Sequence, residues 1–113
     1  KKKKNQWHHV VATRNSGTVT FYIDGVAHGT TYTRNGSISS GAYNYIGTFN
    51  IGQNHINGKL DETAIWNTAL SSDAVTEIYN ATNNNSGKVL DLLTDSGNYS
   101  SSSNLQYWNR LGD

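Results

Sequence analysis

The residues best placed to do chemistry come in two groups. The first is in "WHHVVATRNSGTVTFYIDG", residues 7–25, where His8 and His9 are adjacent and Asp24 lies near the end. Imidazoles with a carboxylate could ligate a metal or transfer protons. On a strand, however, neighbouring side chains point to opposite faces, so His8 and His9 do not serve one ion together. The expectation is that one packs or hydrogen-bonds inside and the other faces out. Asp24 precedes Gly25, and Asp-Gly is a two-residue hairpin signal because both positions require positive φ. Asp24 is therefore read as a turn residue rather than a catalytic acid.

The second group is in "LDETAIW", residues 60–66. If this is one strand, Asp61 shares a face with Thr63 and Ile65, while Glu62 points the other way as a surface or cross-strand pairing residue. A carboxylate at the mouth of an apolar face is costly unless paired. It could accept backbone N–H groups from the Gly/Asn-rich loop before it. It could instead bind Ca²⁺, a hard ion that takes carboxylate, amide and backbone oxygens. Asn50, Gln53 and Asn57 lie in that loop and could supply oxygens, which makes Asp61, Asn50 and Asn57 the candidate metal set. Adjacent carboxylates on opposite faces do not form the pair, about 5 Å apart, that retaining glycosidases need. Ser-His-Asp and metal-histidine spacings and glycine-rich phosphate loops are also absent. The expectation is a protein that is not an enzyme.

Aromatic residues offer binding rather than catalysis. Tyr32, Tyr43, Tyr45 and Phe49 flank loops, where an exposed ring can stack on a sugar while Asn and Gln donate to hydroxyls. The candidate ligand set is Tyr32, Tyr43, Tyr45 and Gln53, with ordinary sheet packing as the competing role of each ring. Trp7 and Trp66 fall in predicted strands and are read as core.

The elements that must position these groups follow from periodicity. Val19, Phe21 and Ile23 alternate with Thr18, Thr20 and Tyr22, the pattern of a half-buried strand. Residues 7–13 form the strand before it, residues 14–17 the connection, and residues 26–31 the return strand, giving an antiparallel meander. Residues 43–47 read as a short strand, residues 48–59 as an edge loop, and residues 60–66 as a further strand. In "NTALSSDAVTEIYN", Ser71 is an N-cap spanned by a Leu70–Val75 hydrophobic staple. Asp73 suits the first turn of the helix, and Val75, Ile78 and Tyr79 make one apolar face. This predicts a short helix near residues 71–79, with Asn80 as its stop. Asn83 to Gly87 is polar and low in complexity, a linker signal, and "SGNYSSSSN" has the same character. "KVLDLLTD" between them is an apolar cluster that could pack against the sheet or a neighbour.

Composition sets the outer bounds. The chain has 113 residues, a formal charge of +1, no cysteine, 7 Tyr and 3 Trp, and only 15% charged residues. No field steers it to nucleic acid. Disulfides, thiolate chemistry and cysteine-ligated zinc are ruled out. No apolar run approaches the roughly 20 residues needed to span a bilayer, so membrane insertion is not expected. Lys1 to Lys4 read as a solvated run. With no initiator Met and no signal peptide, the chain reads as a piece of a longer one. Its Asn, Ser, Thr, Gly and Tyr content is that of β-rich surface modules.

The combination in order of Trp7-His8-His9-Val10, the hairpin ending Tyr22-Ile23-Asp24-Gly25, "YNYIG", Gly58-x-Leu60-Asp61-Glu62 and Ile65-Trp66-Asn67-x-Ala69-Leu70-Ser71 resembles the C-terminal half of a laminin G-like domain. This belongs to the concanavalin A-like jelly-roll group of lectins and glucanases. The resemblance covers about residues 5–80. It implies an all-β, antiparallel two-sheet jelly-roll sandwich of roughly 150–200 residues, present here in part. Residues 1–80 would be its C-terminal part and residues 81–103 an Asn/Ser-rich joint. Residues 104–113, "NLQYWNRLGD", resemble the first strand of a following repeat; the alternative is a tail strand that completes the present sheet. A half jelly roll exposes the inner face of a sheet and unpaired edges, so the fragment is not expected to be a stable isolated monomer.

The resemblance further implies a Ca²⁺ ion in many relatives and, in glucanases, two carboxylates two residues apart on one strand, a pattern this chain lacks. The expected role is a non-catalytic adhesion or carbohydrate-recognition module of a larger extracellular or virion-surface protein. Its partners would be a glycan or a cell-surface or virion protein, with neighbouring domains or copies. Similar tandem arrays occur in bacteriophage structural proteins and bacterial surface proteins. The alternatives are a structural virion component, in a decoration or fibre, that makes protein contacts only, and an accessory domain of a glycoside hydrolase.

Overall fold

The computed structural model describes residues 5–37, 46–48, 54–82 and 90–110. Strands β1 (Val10–Asn15), β2 (Thr18–Ile23), β3 (Val26–Ala27) and β4 (Tyr32–Thr33) form one antiparallel sheet, and β5 (Thr63–Trp66) pairs with β6 (Leu105–Asn109) in a second. Helix α1 (Ser72–Thr82) packs against them. This is part of an antiparallel β-sandwich with one short helix, the fold class expected.

The β1–β2 and β2–β3 connections are both two-residue hairpin turns. Ser16 and Gly17 have φ of 48° and 85°, and Asp24 and Gly25 have 52° and 84°. Positive φ at both central residues matches the twist of the flanking strands. β1 therefore runs on to Asn15, beyond the expected residue 13, and starts at Val10 rather than Trp7. The return strand is broken. Ile23 pairs with Val26 and Tyr22 with Ala27, but Val19 pairs with Tyr32 and Thr18 with Thr33. The register slips by two residues across His28 to Thr31, where Gly29 takes a positive φ. An insertion of this kind bulges the strand outward.

The buried side of β2 is not the one its alternation suggests. Tyr22 is 8% exposed and belongs to the core, whereas Phe21 is 39% exposed. Tyr22 shares its face with Val11, its cross-strand partner, and both pack with the helix. Val10, Phe21 and Val26 are exposed apolar residues on the opposite side. Trp7, read as core, lies ahead of β1 and is 67% exposed. A sandwich sheet packs one face into the core and turns the other outward, and here the Tyr22 face is the packed one.

The helix begins as its sequence predicts. The Ser71 Oγ accepts the Ala74 N–H at 3.1 Å, and Leu70 and Val75 are both buried, forming the staple. It continues two residues past Asn80 because the Thr82 hydroxyl donates to the Tyr79 carbonyl at 2.7 Å, satisfying a group that would otherwise end the helix unpaired. The Thr76 hydroxyl donates to the Gly25 carbonyl at 2.9 Å and ties the helix to the second hairpin.

The core comprises Tyr22, Leu70, Ala74, Val75, Ile78, Leu92 and Tyr99. Its last two members come from the segment whose Asn/Ser content suggests a joint. Two apolar anchors are enough to seat such a segment, and composition averages over a window hide them. Leu105–Asn109 lies beside β5, the arrangement a tail strand completing the present sheet requires.

Candidate functional site

An open cleft of about 1570 Å³ runs between the β1 side of the first sheet and β5 with the stretch leading into it. His8, His9, Asp24, Asp61 and Glu62 all border it, so both groups of chemically capable residues meet one space.

Asp24 does more than turn the chain. One carboxylate oxygen lies 2.9 Å from His8 Nδ1, and the other accepts the His9 backbone N–H at 2.9 Å. Its own N–H donates to the His9 carbonyl at 2.8 Å. The hairpin turn is thereby clamped to the segment entering β1. His9 is half-buried, its ring 6.0 Å from the Tyr79 ring, and burial holds its pKa below the usual histidine range, partly opposed by the charge on Asp24. Neither histidine faces freely outward, contrary to the expected in-and-out split. Residues 7–9 precede the strand, so strict alternation does not govern them.

Asp61 and Glu62 also depart from alternation. β5 begins at Thr63, and Glu62 has φ of 52°, so neither carboxylate sits on a regular strand. Asp61 is exposed rather than set at an apolar mouth, and its Oδ1 accepts the Glu62 N–H at 2.9 Å. That local bond supports a left-handed backbone which costs a non-glycine residue roughly 1–2 kcal/mol. Glu62 accepts the Trp108 indole N–H at 2.8 Å and the Arg110 Nε–H at 3.2 Å. It is thus a pairing residue between β5 and β6, as expected. Arg110 also stands 5.2 Å from the centre of the Trp108 ring.

Of the candidate metal set, Asn57 is exposed, and Asn50 lies outside the described residues. Among the described residues no three His, Asp or Glu side chains gather as a metal group. Of the candidate ligand set, Tyr43, Tyr45 and Gln53 lie outside the described residues, as does Phe49. Tyr32 is on β4, 55% exposed, with its ring edge-to-face with Phe21 at 5.7 Å. Arg14 shares that side of the sheet through its register with Val19, and its guanidinium donates to the Gly36 carbonyl.

Sequence reasoning missed Trp108, Arg110 and Tyr99. Tyr99 donates to the Leu92 carbonyl at 2.7 Å and accepts the Trp66 indole N–H at 2.9 Å. The available signal was Trp108 and Arg110 in one short strand-like run, with the same alternation as β5.

No curated protein and no solved structure matches the chain. Residues 2–76 match a laminin G family model described as the concanavalin A-like lectin/glucanases superfamily. That span holds both hairpins, the cleft-lining carboxylates, β5 and the start of α1, and with the antiparallel half-sandwich built around them it makes the chain a member of the concanavalin A-like lectin/glucanase superfamily.

Proposed function

We propose that the chain is a non-catalytic recognition module of a larger extracellular or virion-surface protein, binding a carbohydrate or a glycosylated surface. The observation that carries this reading is the half-exposed Tyr32 ring held edge-on by Phe21 on an open sheet face. A ring supported in this way offers an apolar surface to a pyranose at little cost in side-chain freedom. The cleft carboxylates favour binding over hydrolysis. Asp24 is engaged by His8 and His9, Asp61 by the Glu62 N–H, and Glu62 by Trp108 and Arg110. A glycosidase needs two carboxyl groups directed at the sugar instead. Glycan-array binding of the chain and of its Tyr32→Ala variant tests the reading: binding that the variant loses supports it, and binding the variant keeps moves the site elsewhere.

A second reading is favoured by one observation. Val10 and Val26 flank Ile23 on one face of the first sheet and are each at least 65% exposed, and an exposed apolar face marks protein contacts. On that reading the chain is a structural virion component of bacteriophage type whose contacts are to other proteins. An accessory domain of a glycoside hydrolase stands third. Calcium at Asp61 is a separate proposal, supported by an exposed carboxylate beside an Asn-rich loop. A chelator should then lower the melting temperature; no shift, together with an unchanged Asp61→Ala variant, removes it.

A further inference from the structure

Register sets Val19 opposite Arg14 on β1 and opposite Tyr32 on β4. Arg14, Val19 and Tyr32 therefore stand in one row across three strands, on the face of the first sheet turned away from the helix. Strands lie about 4.8 Å apart, so the ends of the row are roughly 10 Å apart at the backbone. Arg14 is the only charged residue among the strand positions of that face. Its guanidinium donates to the Gly36 carbonyl, and among the described residues no carboxylate pairs with it. A guanidinium is a permanent cation with five N–H donors in a planar fork. Half-buried and anchored at one nitrogen, Arg14 holds that fork in place with most of its donors open.

Arg34 adds a second positive charge. Its N–H donates to the Gly17 carbonyl and extends the β2–β4 ladder by one residue. Alternation returns its side chain to the Tyr32 side, where it is exposed. The face thus joins a ring held edge-on by Phe21 to two cations, with no acidic residue at any of its strand positions.

We infer that this face takes a sugar unit bearing a carboxylate, as in a uronic or sialic acid, with the pyranose on Tyr32 and the carboxylate on Arg14. That assignment rests on the recognition reading given above and adds the chemical class of the glycan to it. The guanidinium fork meets a carboxylate in two parallel charge-assisted bonds. A neutral hexose would displace water from the same cation without compensating its charge, which is unfavourable. A pyranose stacked on Tyr32 with its exocyclic carboxylate over Val19 lies along the row and directs the anion to Arg14. Arg34 contributes attraction to the same anion, and because it is exposed that part is screened by salt.

The test is titration calorimetry of the full chain with trigalacturonate and its methyl ester, and with sialyllactose and its methyl ester. Each ester keeps the ring and hydroxyls and removes the charge. The expected result is that one acid binds at least about tenfold more tightly than its own ester, and the pair that shows this identifies the kind of acid. Arg14→Gln should abolish the preference for the acid while leaving ester binding, Arg34→Gln should reduce it partly, and Tyr32→Ala should weaken acid and ester alike. Equal binding of acid and ester by the unaltered chain overturns the inference, leaves the recognition reading in place, and does not depend on how any variant folds. A preference that survives in Arg14→Gln overturns the role of Arg14. Failure to bind any of the four sugars overturns the inference too, and neutral glycans then decide whether recognition itself falls with it.

Discussion

The Trp66 indole N–H donates to the Tyr99 hydroxyl at 2.9 Å, joining a family-matched strand to a segment beyond the match. The two rings meet edge to face at 6.2 Å, and the hydroxyl in turn donates a hydrogen bond to the Leu92 carbonyl at 2.7 Å. A single oxygen thus satisfies one donor and one acceptor in the core. Tyr99→Phe leaves both without a partner, and unpaired buried polar groups cost about 1–3 kcal/mol. Urea denaturation of the full chain should show a loss in that range with an unchanged m-value.

Gly25 is required twice over. Its φ is 84°, and a Cβ there would lie 2.9 Å from Tyr79 Cδ2. Gly25→Ala should therefore destabilise more than Gly29→Ala, which has φ of 74° but open space around the missing Cβ. Strain alone accounts for about 1 kcal/mol at either site. The displacement of Tyr79 adds to it only at Gly25. Paired thermal melts of the two variants check the order.

His9 makes stability sensitive to acid. Its pKa in the folded chain lies below the unfolded value of 6.5, chiefly because burial disfavours the charged ring. Between the folded and unfolded values the unfolded chain binds more protons, so stability rises with pH there and is complete above the unfolded value. As pH falls through about 6.5 toward the folded value, that contribution is lost. Denaturation midpoints measured between about pH 5 and 8 should fall on acidification, and His9→Gln should flatten the dependence. An unchanged slope in the variant would contradict the assignment to His9.

The N-cap is a simpler case. Ser71→Ala removes the acceptor for the Ala74 N–H and should cost about 1 kcal/mol. Because Leu70 and Val75 still pack as the staple, the helix should persist, with the loss visible in the melting temperature rather than in helical circular dichroism.

What was legible in the sequence was local. Asp24-Gly25 announced its turn because positive φ has few residue solutions, and Ser71 with Leu70 and Val75 announced the helix start. Less legible was anything that depended on what covers a face. The Val19, Phe21, Ile23 alternation was plain, yet Tyr22 is the buried member because the helix covers its side. Asp61 and Glu62 were placed on a strand that starts only at Thr63, since a positive φ at Glu62 breaks the alternation and leaves no compositional trace. Of the candidate site, Tyr32, Asp61 and Asn57 could be located, and only Tyr32 proved to be a supported, exposed ring. Leu92 and Tyr99 were hidden in Asn- and Ser-rich surroundings that carry no periodic signal.

The central claim is recognition without catalysis, and a glycan array probed with the chain in its native assembly tests it most directly. The account predicts that a defined subset of glycans is retained, that binding falls at least roughly tenfold in Tyr32→Ala, as loss of a stacked ring implies, and that the bound glycans are recovered uncleaved. Retention of no glycan at all, or release of shortened sugars, would contradict it.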